Sequence, residues 1–159
     1  MRNFKKYDIQ SDCRVSSLFD AWTGIKFDYI FDDISGISED LVGISPWFAD
    51  GVPCSSGPSG IDLSVRVIDQ ASNYLGKGGL IFPVLSLSNR REVIDKAEQS
   101  FQYVERMAIQ EWPMPKEMME HRTQLEKIRK RGDISYEEKF NHLVCTTEIF
   151  YCSNNKRGV

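Results

Sequence analysis

Residues 27–36 read FDYIFDDISG and residues 78–89 read GGLIFPVLSLSN, and these two stretches decide the fold. Each is an apolar run of strand-forming residues that gives way to small, polar or acidic residues. Between them, apolar residues recur every fourth position from Leu63 to Leu75, which predicts a helix with one buried face. The order of strand, crossover helix and strand is typical of an α/β sheet, in which ligands bind where the parallel strands end.

The composition is that of one globular domain covering residues 1–159. Hydrophobic residues make up 41% of the chain and charged residues 27%, which suffices for a core and a charged surface. The formal net charge of -3 argues against a nucleic acid partner. The N-terminus has no apolar signal core, and no run approaches the roughly 18 apolar residues of a membrane span. The sequence therefore predicts a cytoplasmic protein with no membrane contact.

The cysteines carry no metal-site pattern. They form no C-x-x-C pair and have no histidine at zinc-site spacing. The sequence therefore predicts no metal site, and it predicts reduced, buried thiols at Cys13, Cys54, Cys145 and Cys152.

Strand and helix patterns alternate along the first two thirds of the chain. Residues 27–34 form the strongest predicted strand, and residues 80–87 form a strand buried on both faces. A shorter strand is expected at 13–19. The glycines after the helix of residues 61–75 are expected to stop it and turn the chain. The segment 35–60 holds five glycines and three prolines, which predicts a long functional loop.

The remaining third of the chain predicts two helices and two strands. Residues 90–101 and 116–131 have helical patterns, and residues 103–109 form a weaker strand. The Trp-Pro-Met-Pro run at 112–115 is expected to break the chain. Residues 142–152 alternate and are rich in β-formers, which predicts a last strand. The two late strands predict an antiparallel C-terminal edge on a mostly parallel sheet.

The order of FDDISG, the long loop, GPSGIDL, LGKGG and IFPVLSLSN resembles the C-terminal half of class I S-adenosylmethionine-dependent methyltransferases. It is most similar to the small-domain enzymes related to the release-factor glutamine methyltransferases, and the resemblance covers roughly residues 15–101. The resemblance implies an α/β, Rossmann-like methyltransferase sheet. It also implies S-adenosyl-L-methionine as cofactor and methyl transfer to an oxygen or nitrogen acceptor.

The sequence departs from the family at the cofactor loop. No G-x-G-x-G is present, and this is the motif that brings the backbone close to the cofactor. The chain is therefore expected to begin at about the third strand of the seven-stranded sheet, as an N-terminally truncated domain. A homo-oligomer or a complementing chain would then be needed to complete the cofactor site.

The resemblance also implies the roles of single residues. Asp33 begins the stretch that stands where the family has Asn-Pro-Pro-Tyr, and its carboxylate can accept a hydrogen bond from an amine or hydroxyl substrate. The implied catalytic residues are Asp33 and Ser35. The implied cofactor-binding residues are Ser17, Phe19 and Asp32, and the implied substrate loop contains Gly36, Pro46 and Trp47.

Each of these residues also has a structural interpretation. Asp32 and Asp33 suit a helix N-cap or a turn, and Ser17 can simply end a strand. Trp47 either covers a substrate pocket or fills the edge of the core. Gly57 and Gly60 suit the backbone needs of a helix start.

A second functional hypothesis is a non-catalytic, methyltransferase-like interaction protein. A sheet without its leading strands has an unpaired edge and an apolar face, and proteins cover such surfaces. A partner or a second copy of the chain would cover the truncated edge.

Overall fold

A five-stranded sheet forms the centre of the protein. The computed structural model describes Tyr7 and residues 10–34, 36–48 and 51–155. The strands are β1 (Phe27–Phe31), β2 (Leu75–Leu85), β3 (Tyr103–Pro113), β4 (Glu137–Lys139) and β5 (His142–Ser153). The helices are α1 (Glu39–Val42), α2 (Asp62–Ala71), α3 (Arg90–Ser100), α4 (Lys116–Met119) and α5 (Arg122–Arg131). The predicted α/β class is confirmed.

The sheet is mixed, and its last strand lies inside it. The strand order is β1-β2-β5-β3, and β4 forms a hairpin with the beginning of β5. Among the strands that the structure describes, only β1 and β2 pair in parallel, whereas β5 runs antiparallel to β2, to β3 and to β4. The two late strands form an antiparallel end of the sheet as predicted, since β3 is the outermost strand and pairs antiparallel with β5, which lies between β2 and β3. The mostly parallel pairing that the sequence predicts is not observed.

One face of the sheet, called the first face below, packs against α2 and α3. Leu80, Phe82 and Val84 alternate along β2 and are buried in this layer together with Phe150 and Cys152 of β5. The helices contribute short apolar side chains to the same cluster: Val67, Ile68, Ala71, Val93 and Ala97. The four-residue spacing from Val67 to Ala71 thus reflects burial against the sheet, as predicted.

The opposite, second face is covered mainly at one end. Alternation along β5 turns Leu143 and Cys145 toward this face, where they join a buried cluster with residues of α1, α4 and α5. Further along the same face, Tyr29 is 56% exposed and Phe31 72% exposed. These aromatic side chains lie on β1, which pairs only with β2 among the described strands.

Two glycines of β2 allow the neighbouring strands to come close. A Cβ added at Gly78 would overlap the carbonyl oxygen of Asp28 in β1, and one added at Gly79 would overlap the carbonyl oxygen of Cys152 in β5. The glycines after the predicted helix therefore do not turn the chain. They belong to β2, which begins at Leu75, and the helix ends at Ala71.

Several other predicted boundaries change. Residues 13–19 contain no strand, since Ser17 accepts a hydrogen bond from the Asp20 amide in a turn. The predicted strand at 103–109 continues through Pro113, which an edge strand tolerates because one side of it needs no ladder donor. The predicted helix at 116–131 is divided into α4 and α5 at residues 120–121.

Three of the cysteines are buried as predicted, and one is not. Cys54, Cys145 and Cys152 are buried free thiols, whereas Cys13 is exposed. Burial raises the pKa of Cys145 to about 11 and that of Cys152 to about 12. In the described part of the chain, no helix is both long enough and apolar enough to cross a bilayer.

Gly78→Ala should destabilise the protein by about 1–3 kcal/mol, because the new methyl group forces β1 and β2 apart. Urea unfolding followed by circular dichroism measures the change. Gly43→Ala is the matched control, since an added Cβ there has no neighbour within 4 Å. Equal stability of the two variants would show that the close approach at Gly78 does not constrain the sheet.

Candidate functional site

The acidic pair after β1 lies where the parallel pairing of β1 with β2 ends. The Asp32 amide donates a hydrogen bond to the carbonyl oxygen of Ile81 at 2.9 Å, so the pairing with β2 continues past Phe31. Because side chains alternate along a strand, Asp32 and Asp33 point to opposite faces of the sheet. Two neighbouring carboxylates therefore have different surroundings.

Asp32 has a structural role. It is half-buried, and its Oδ1 accepts a hydrogen bond from the Ile34 amide at 2.9 Å, which forms a turn at the end of the strand. Burial raises the pKa of this carboxyl group, the charge of Asp33 raises it further, and the Ile34 amide opposes the change. The structural interpretation of Asp32 therefore explains its contacts.

Asp33 is exposed and follows Phe31 on the second face of the sheet. Its carboxylate can accept a hydrogen bond from a hydroxyl or amine that approaches this face. Ser35, the other implied catalytic residue, lies outside the described residues.

The loop after Asp33 is held to residues 54–56 by a short parallel β-bridge. Ile37 and Ser55 form an isolated parallel bridge, in which the Ile37 amide donates to the Cys54 carbonyl at 3.2 Å and the Ser56 amide donates to the Ile37 carbonyl at 3.0 Å. Gly36 lies beside this bridge, and a Cβ added to it would be 2.7 Å from the Ser56 Cβ. Gly36 therefore serves close packing at this point of the loop.

Trp47 lines an open depression on the second face. Its ring meets that of Trp112 edge-on, with centroids 5.4 Å apart and planes 70° apart, and it is 40% exposed. The two indoles and Leu85, the last residue of β2, surround a volume of about 270 Å³. The preceding Pro46 is exposed. Of the two interpretations of Trp47, the exposed ring fits the pocket wall better than a filler of the core.

The implied cofactor residues Ser17 and Phe19 lie at the other end of β1. Phe19 is buried and stacks on Tyr74 at 4.7 Å, and the Tyr74 carbonyl accepts a hydrogen bond from Phe27, where β1 begins. β1 is five residues long, so about 17 Å separates the contact of Phe19 with Tyr74 at its beginning from Asp33 beyond its end. Phe19 thus belongs to the core, and Ser17, Phe19 and Asp33 do not form one site.

Two functional candidates were not predicted from the sequence. Trp112 was interpreted as part of a chain break, although its place one strand residue before Pro113 also fits an edge strand. Glu148 of β5 is buried on the first face and forms ion pairs with the guanidinium groups of Arg90 and Arg106. These partners hold the pKa of Glu148 below its usual range, Arg90 having the larger effect. No local pattern identifies this cluster, because its members come from three elements.

A larger cavity, of about 490 Å³, lies between α1 and α5. It is lined by polar side chains, and its opposite charges already interact, since Arg131 pairs with both Asp40 and Asp133. Among the described residues, no three histidine, cysteine, aspartate or glutamate side chains are grouped as metal ligands.

Asp32→Asn should raise the urea midpoint at pH 7. The folded-state pKa of Asp32 lies above its unfolded value, so its favourable contribution is present below about pH 4 and is lost as the pH rises through the folded pKa. Asparagine keeps an oxygen for the Ile34 amide and removes the poorly solvated charge. The gain over the unmodified protein should shrink as the pH approaches about 4.

Asp33→Asn is the matched control, because this neighbouring carboxylate is exposed and its replacement removes only the smaller, charge–charge contribution at Asp32. It should therefore raise the midpoint less than Asp32→Asn does. A lower midpoint for Asp32→Asn at pH 7 would contradict the view that burial disfavours this charge.

No family model matches the chain, and neither a curated protein nor a solved structure matches it significantly.

Proposed function

We propose that this chain is the acceptor-binding part of a class I S-adenosylmethionine-dependent methyltransferase, with Asp33 orienting an oxygen or nitrogen acceptor. The observation that carries the proposal is the strand order β1-β2-β5-β3, with β5 antiparallel. The resemblance implies a seven-stranded sheet with an antiparallel C-terminal edge, and β5 and β3 pair antiparallel at one end of this sheet. On that scheme β1 corresponds to the fourth strand.

The chemistry at the end of β1 supports the same proposal. In α/β sheets, ligands bind beyond the carboxyl ends of parallel strands, and Asp33 lies at such an end. Its exposed carboxylate accepts a hydrogen bond from the acceptor hydroxyl or amine and can take up the proton that this group loses. Asp32 is assigned no cofactor role, because its carboxylate already binds the Ile34 amide.

The described residues do not fit a complete cofactor site. Phe19 is committed to the core beside Tyr74, and Ser17 lies near it, far from Asp33. We therefore assign S-adenosyl-L-methionine to residues that approach across the free edge of β1. A second copy of the chain or a complementing chain would supply them. We also propose that the protein is cytoplasmic and has neither a nucleic acid nor a membrane partner.

The alternative function, a non-catalytic interaction protein, is favoured by one observation. β1 pairs on one side only among the described strands, and its Tyr29 and Phe31 are exposed beside that edge. Exposed aromatic edges favour pairing with another chain. Both hypotheses therefore require assembly across β1, and they differ in whether the assembly binds the cofactor.

We expect the purified protein to form assemblies heavier than one 18.3 kDa chain, and the assembled form to bind S-adenosylhomocysteine. Light scattering measures the mass, and isothermal titration at the same protein concentrations measures binding. Tyr29→Lys should abolish both, because it places a charge beside the pairing edge. Phe140→Lys is the control, since Phe140 is 97% exposed in the β4–β5 turn, distant in sequence from β1.

The outcomes separate the two hypotheses. Assembly without heat of binding at millimolar ligand would leave only the interaction protein. A monomer that binds no ligand at any concentration would overturn both.

A further inference from the structure

The depression between Trp47 and Trp112 offers a defined aromatic environment beside the proposed acceptor site. We propose that it binds one uncharged aromatic ring, and that this ring is carried by the methyl acceptor. The second half of this statement rests on the proposed function, whereas ring binding itself does not.

The angle between the indoles suits a flat group. Their planes are 70° apart and their centroids 5.4 Å apart, so they form two walls of a corner with Leu85 beside them. A planar ring stacked on one indole presents its edge to the face of the other. Offset-stacked and edge-to-face arrangements are the two favoured geometries of aromatic pairs.

One wall of the corner is held before a ligand arrives. The Nε1 of Trp112 donates a hydrogen bond to Thr147 Oγ1 at 3.0 Å, and Trp112 lies in β3, opposite Cys145 of β5. The Trp47 amide donates to Ser45 Oγ at 3.3 Å in the loop that carries the second wall. Binding a ring therefore requires little ordering of the Trp112 side chain.

Size and charge limit the occupant. A volume of about 270 Å³ is slightly below the ~300–1,000 Å³ of pockets that hold whole drug-sized ligands, so it suits one group of a larger molecule. Trp47, Leu85 and Trp112 are the described residues that line it, and none is charged. An anionic group would lose hydration here without gaining a partner. An uncharged ring matches both limits.

The position relative to Asp33 connects the ring to the acceptor. Phe31 pairs with Ile81, so Asp33 and Leu85 follow two and four residues later on the same face. The depression thus begins about 7 Å beyond Asp33 along the strand direction, and it extends sideways from β2 toward β3, at least one strand spacing of about 5 Å from β1. An acceptor whose hydroxyl or amine is joined to the ring by a short chain spans this separation. The inferred acceptor class is an alcohol or amine that carries an aromatic ring on a short chain.

Indole Nε1–H signals in ¹H–¹⁵N spectra test ring binding directly, because the chain has three tryptophans. Benzyl alcohol is the probe, and cyclohexylmethanol is the non-aromatic control of similar size. The signals of Trp47 and Trp112 should shift with benzyl alcohol and much less with cyclohexylmethanol. The Trp22 signal should stay in place, since its ring faces the Arg14 guanidinium and Phe27 elsewhere in the fold.

Variants then test the individual walls. Trp112→Leu and Trp47→Leu should each weaken binding of benzyl alcohol roughly tenfold, whereas Trp22→Phe should leave it unchanged. Trp47→Leu keeps the test valid if Trp112→Leu fails to fold, since Trp47 is 40% exposed. Benzoate should bind more weakly than benzyl alcohol.

Two results would overturn the inference: equal shifts at all three tryptophans, or equal responses to benzyl alcohol and cyclohexylmethanol. Ring binding without any binding of S-adenosylhomocysteine by the assembled protein would uphold the ring site and overturn the proposed function. Cofactor binding without ring binding would uphold the proposed function and overturn the ring site.

Discussion

The backbone pairing of β5 is the interaction on which the sheet depends. β5 separates β2 from β3 and also carries β4, so each of these strands is held through it. Its alternating side chains supply both cores, with Phe150 on the first face and Leu143 on the second. Central pairing also explains why Glu148 needs two arginines, because a carboxylate buried in a middle strand loses its water and must be compensated by opposite charge.

Elements with strong local patterns could be predicted from the sequence. The helix of α3 and the strand β5 appear within one or two residues of their predicted bounds, because burial on one helix face and strand alternation are visible in short windows. The interior position of β5 could not be predicted, because it depends on pairing between distant residues. Gly78 and Gly79 resemble a turn in isolation, and only the neighbouring strands reveal that they allow close approach.

In the candidate site, too, local features could be predicted from the sequence and contacts between distant residues could not. Sequence identifies the strand end and its two carboxylates, but Asp32 and Asp33 are chemically identical there. Alternation across the sheet distinguishes them, since one is held by the Ile34 amide and the other is exposed. Trp47 and Trp112 are 65 positions apart in the sequence, so only the folded sheet brings their rings to 5.4 Å.

The central strand also carries two of the free thiols, Cys145 and Cys152. Their raised pKa values keep them protonated near neutral pH, and the thiolate is the form that oxidants and electrophiles attack. Both side chains are buried as long as β5 stays paired. Oxidation at these positions is therefore expected to depend on opening of the sheet, whereas Cys13 is exposed in the folded protein.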